Sequence, residues 1–155
     1  MTILSDKELS RYSITLRDFE KAKEYICAAK KQLSSSIEYE ALLFAAIVSY
    51  YRPFSPNEKS QRAKATSRLC IEDFGSLNSS QSELHQKCKK LRNEALAHSE
   101  FDRNPTKFKS DRKVFSSQPF SLLNEGLDLE VFDSILTQFI EVCNGVRANY
   151  SRHSS

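Results

Sequence analysis

Turn-forming residues are scarce in this chain of 155 residues, which has three glycines and four prolines. A fold built from many strands joined by tight turns draws heavily on both types, so an all-β class is excluded. Cysteine is sparse and scattered. Cys27, Cys70, Cys88 and Cys143 stand singly, and with no Cys-x-x-Cys pair a zinc site is not expected. Cys27, Cys88 and Cys143 fall within helical apolar patterns and read as small buried hydrophobes. No apolar run follows Met1, so no signal peptide is expected. The longest apolar stretch, 41–48, is far below the ~20 residues a membrane helix needs. A reduced, cytoplasmic protein is the expectation. The net charge of +3 is too small to mark a nucleic-acid binder by itself.

What is present is helical periodicity. Leu16, Phe19, Ile26 and Leu33 share one face, with Ala22 or Lys23 and Ala29 or Lys30 between them. That spacing predicts a helix over 15–34, capped by Ser13 or Thr15, with 1–13 a loose arm or a first short turn. A second helix is predicted over 37–52. Ala41, Leu42, Leu43, Phe44, Ala45, Ala46, Ile47 and Val48 are apolar around its circumference, so it reads as the central helix. Pro53 stops it, and Tyr50 and Tyr51 read as boundary residues with wet hydroxyls. Over 55–80 the pattern is weak. Arg62, Lys64 and Arg68 are cationic, and Leu69, Ile71 and Phe74 predict a short helix ending before Gly75. A third helix is predicted over 82–99, capped by Ser80 or Ser82. Lys107 to Phe120 mixes bases and aromatics without helical spacing, as in an irregular flap or a short β-hairpin. A last helix is predicted over 128–149, with Asp128 as its N-cap, and 151–155 as a frayed tail. The sum is one all-α domain over 1–155, an antiparallel bundle of four or five helices.

The third helix carries the chemistry. Leu84, Cys88, Leu91 and Ala95 form its apolar seam, which leads on to His98. A second stripe holds His85, Lys89 and Arg92. Bases cluster at Lys87, Lys89, Lys90 and Arg92, and again at Arg103, Lys107, Lys109, Arg112 and Lys113. A basic run is usually a solvated face, and a lone histidine on an apolar stripe is more often structural than catalytic. Two runs flanking a polar triad are also compatible with phosphate binding.

Arg92-Asn93, followed after five intervening positions from the arginine by His98, resembles the signature of the HEPN superfamily, the higher eukaryote and prokaryote nucleotide-binding domains. The longer string LRNEALAHSEFD and the upstream AAIVSYYRPF extend that resemblance over roughly 36–102. The resemblance implies a helical bundle, a two-fold homodimer and metal-independent cleavage of RNA, as in toxins, which antitoxin proteins restrain, and in phage-defence proteins. The chemistry fits on its own terms. Metal-free RNA cleavage uses the neighbouring 2′-hydroxyl as nucleophile. His98 suits proton transfer near neutral pH, Arg92 offers a charged fork to the phosphorane oxygens, and Asn93 adds a neutral donor. Arg52, His85, Lys89, Lys90 and Arg103 are the candidate RNA contacts. Glu94 and Glu100 are isolated, so neither a bound metal nor a cofactor is implied. On an ideal helix six positions leave Arg92 and His98 about 120° apart around the axis and about 9 Å apart along it. A bent helix, the reach of arginine, or a site shared between two subunits would close that gap. The alternative function is a catalytically inactive module that binds RNA, a nucleotide or another protein.

Overall fold

A computed structural model describes residues 5–55, 69–96, 106–109, 114–117 and 121–153. Four α-helices pack against one another: α1 (Asp6–Ala29), α2 (Ile37–Tyr51), α3 (Ser79–Lys90) and α4 (Leu129–His153). Thr106–Lys109 (β1) and Val114–Ser117 (β2) pair antiparallel, with Phe108 opposite Phe115, so the described part of the stretch that lacked helical spacing is two paired strands.

Helix α1 is longer at its start and shorter at its end than its periodicity predicts. Ser5 accepts from the Glu8 amide while the Glu8 carboxylate accepts from the Ser5 amide. This reciprocal capping box satisfies two otherwise orphaned donors and starts the helix at Asp6, well before the apolar stripe. Residues 6–13 are therefore helical, not a loose arm, and Thr15 is buried instead of capping. The helix ends at Ala29, which leaves Leu33 78% exposed. At the ambiguous positions the alanines face inward, with Ala22 and Ala29 buried. Lys23 and Lys30 reach across to Asp133, and Lys30 also to Glu130.

The central helix is α1, not α2. It packs against both α2 and α4. Tyr150 at the end of α4 bonds Asp6 at the start of α1, and Lys30 just past α1 pairs with Glu130 at the start of α4, so these two run antiparallel. Helix α2 buries Leu43, Ala46, Ile47, Ser49, Tyr50 and Tyr51. Ile37 and Phe44 are exposed. Its apolar stretch did not make it the centre, because Ala41 and Phe44 of that stretch stay in solvent. Ser36 caps it, and Pro53 diverts the chain into a 3-10 turn, Arg52–Phe54.

Aromatic rings fill the core. Phe74 stacks on Phe139 at 4.7 Å, and Phe19 meets both at 5.2–5.3 Å. Phe74 comes from a 3-10 turn, Ile71–Phe74, closed by Gly75 at φ +89°, a backbone conformation that disfavours side chains. Gln138 of α4 donates to the Phe74 and Ser76 carbonyls, which clamps this turn to the bundle. Asn78 caps α3 in a box with Gln81, in place of Ser80 or Ser82. Asp128 accepts from the Glu130 and Val131 amides at the start of α4. That helix then continues through 151–153, where a frayed tail was expected. Among the described residues no helix is long and apolar enough to cross a membrane.

Candidate functional site: a donor-lined cleft along the third helix

Leu84, Cys88 and Leu91 bury one face of α3, as their spacing predicts. Burial pushes the Cys88 thiol up and raises Cys143 to about 12, so both act as inert hydrophobes. Cys27 lies off the α1 stripe and is exposed, against expectation. At Leu91 the helix changes type and continues as a π-helix through Leu96. A π-turn takes in one more residue than an α-turn, so the faces beyond Leu91 are set back. Asn93, not Arg92, then continues the stripe begun by His85 and Lys89. All three line one open cleft of about 390 Å³. Its opposite wall comes from Tyr51 at the end of α2, from Phe54 and Ser55 in and just after the 3-10 turn, and from Leu69, Cys70, Ile71 and Glu72.

Arg92 is half-buried, and its Nη1 donates to Asn93 Oδ1 at 3.0 Å. That bond occupies the acceptor end of the Asn93 amide and leaves the NH₂ end for the cleft. His98 and Arg103 lie outside the described residues, as do Arg62, Lys64, Arg68 and Phe120. Arg52 does not line the cleft. Its Nη1 pairs with Asp18 of α1 at 2.7 Å. Burial pushes the Asp18 carboxyl up from its ordinary value, and Arg52 draws it partly back. Lys90 is exposed, outside the cleft lining. Lys87 is spent on the Glu125 carbonyl.

His85 is the buried member of the stripe, at 6% exposure. Its ring meets those of Phe54, Tyr51 and Tyr50 at 5.2, 5.8 and 5.9 Å, and its Nδ1 lies 2.8 Å from the Tyr50 hydroxyl. Burial depresses the His85 pKa from the usual 6.5. Nearby Lys89 lowers it further and Glu72 opposes them. Tyr50 is not a boundary residue. It is fully buried, and burial pushes its phenol well up. A tyrosine at the end of an apolar helix gives no hint of its polar partner 35 positions on, and the pairing appears only when α2 meets α3. Glu72, which the sequence did not single out, and Ile71, read there only as part of a short helix, complete the wall because Gln138 and Phe74 hold their turn in place.

Chemically, the cleft offers hydrogen-bond donors from α3 and the π-turn after it, and across from them apolar side chains interspersed with Ser55, Cys70 and the Glu72 carboxylate. Among the described residues no group of histidine, cysteine, aspartate or glutamate is arranged to hold a metal ion. No protein-family model, curated protein or solved structure matches the chain.

Proposed function

We propose that this protein is a metal-independent endoribonuclease of the HEPN type, acting on RNA by 2′-hydroxyl attack in the manner of toxins and phage-defence effectors. Arg92 and Asn93 hold the phosphorane oxygens and His98 moves the proton. The observation that carries this is the Arg92–Asn93 pair on a π-helix beside a cleft lined by His85 and Lys89. π-Segments in α-helices occur frequently at functional sites, and the donors gathered there suit a phosphodiester.

The active unit in this proposal is a homodimer that brings two Arg-Asn-His sets to one groove. Ile37 and Phe44, exposed seven positions apart on α2, are apolar surface that a second copy can cover. An antitoxin protein is a further partner of the kind such toxins have.

The test is incubation of purified protein with tRNA and mRNA in EDTA. Cleavage should persist and leave 2′,3′-cyclic phosphate and 5′-hydroxyl ends. A 2′-deoxy residue at the cut site should block it. His98→Ala should lower the rate by ~10²–10⁴-fold while RNA binding and the folded dimer remain. A folded wild-type dimer inert toward every RNA tried, with His98→Ala markedly less stable, would return His98 to a structural role and leave the non-catalytic binding module as the function. A strict monomer at micromolar concentration by light scattering would remove the composite site.

A further inference from the structure

Tyr50 is fully buried and stays protonated, so its hydroxyl proton needs an acceptor. His85 Nδ1 is 2.8 Å away and is the acceptor the structure provides. Were Nδ1 to carry its own proton, the phenol proton would be left buried and unsatisfied, at a cost of about 1–3 kcal/mol. Tyr50 therefore donates, Nδ1 accepts, and the imidazole proton sits on Nε2. The ring lines the cleft, and with Nδ1 taken, Nε2–H is the donor it offers there. Lys89 forms no ion pair among the described residues, and Asn93 has its carbonyl oxygen occupied by Arg92. A neutral N–H, an ammonium and an amide NH₂ thus stand one helical turn apart on the same wall. Opposite them, Leu69 and Ile71 are apolar, and Glu72 is an acceptor.

We propose that this cleft seats one nucleotide unit, its phosphate on His85 Nε2–H, Lys89 and Asn93 and its base against Leu69 and Ile71, with Tyr50 as the positioning residue that fixes the His85 tautomer. The site deepens the ribonuclease assignment, on which its use in RNA cleavage rests: it holds a nucleotide beside the Arg92–Asn93 pair. Three donors side by side, one of them an ammonium, suit an anion with several acceptor oxygens, provided that it sits on their side of the cleft and away from the Glu72 carboxylate. A cleft of about 390 Å³ lies within the ~300–1,000 Å³ range of small-ligand sites. Glu72 on the apolar side suits an exocyclic amino group of the base.

The experiment is nitrogen-detected NMR of the full-length protein with labelled histidine. The His85 ring signals are assigned by loss in His85→Gln and separated from those of His98 and His153. Wild type should show Nδ1 unprotonated and Nε2 protonated. Added 5′-AMP should shift the His85 Nε2–H signal, and an all-2′-deoxy oligonucleotide should do the same without being cut. AMP should bind more tightly than inorganic phosphate. Lys89→Gln, a surface change, should weaken AMP by about tenfold or less, in keeping with a charge-assisted contact. Tyr50→Phe keeps the ring, mixes the two tautomers and should weaken AMP by about fivefold, one hydrogen bond's worth. A wild-type His85 protonated on Nδ1 overturns the tautomer assignment and needs no variant to be seen. An Nε2–H signal unmoved by AMP overturns the site, even if RNA is cleaved. Equal affinity for phosphate and AMP overturns the assignment of the apolar wall to a base. AMP binding by a protein that cuts no RNA upholds the site and removes only the ribonuclease assignment.

Discussion

The α1–α4 seam and the α3 cleft handle positive charge in opposite ways. Along the seam, Lys23 and Lys30 are answered by Asp133 and Glu130, and beneath them Phe19 packs on Phe139. Along the cleft, Lys89 has no carboxylate partner among the described residues and sits beside a histidine kept neutral by burial. Arg52, at the far side of α2, behaves like the seam because Asp18 holds it. Cations of the same kind thus serve the fold in one region and stand ready for a ligand in the other. What separates them is whether an acid stands within ion-pair reach, which no single segment of sequence reveals.

The largest effect should come from breaking the seam's apolar floor. Phe139→Ala removes a fully buried ring in contact with Phe19, Phe74, Tyr50 and Phe54, and should cost ~3–5 kcal/mol in urea unfolding. The cleft should loosen with it, because Phe74 anchors the turn that carries Ile71 and Glu72. A loss under 1 kcal/mol would mean that the rings do not hold the two regions together.

The cleft should show itself in a pH dependence that the seam lacks. Folded His85 has a pKa below the ordinary 6.5, so below that pH the unfolded chain binds the additional proton first. Stability therefore falls as the solution is acidified from about pH 6.5, and levels off once the folded protein protonates as well. Urea midpoints measured between pH 7.5 and 5 should follow that sign. His85→Gln should begin less stable, having lost the Tyr50 bond, yet decline less over the same interval. An equal decline in both proteins would assign the titration elsewhere.

The smallest effect separates the two kinds of cation. Lys30→Ala should change stability by less than about 1 kcal/mol, since its partner Glu130 is largely exposed, and should leave RNA affinity untouched. Lys89→Gln should leave the melting temperature unchanged and reduce the slope of log affinity against log salt by about one. A lowered melting temperature in Lys89→Gln, with an unchanged slope, would erase the contrast between seam and cleft.

Periodicity and composition were enough for four helices, the Asp128 cap, the stop at Pro53 and the short turn ending at Gly75, because each depends on residues within a few positions of one another. The same local rules were outcompeted at the start of α1, where the Ser5–Glu8 box begins the helix ahead of its apolar stripe. They also placed His85 and Lys89 on one polar face and joined Asn93 to Arg92 in one motif. Only the tertiary structure decided that α1 is the central helix, that Arg52 is neutralised by Asp18, and that Tyr50 lies buried against His85. It alone decided, too, that a π-turn at Leu91 brings Asn93 into the cleft. These outcomes depend on which helix faces which across 30 or more positions, and on desolvation that exists only once the faces have met.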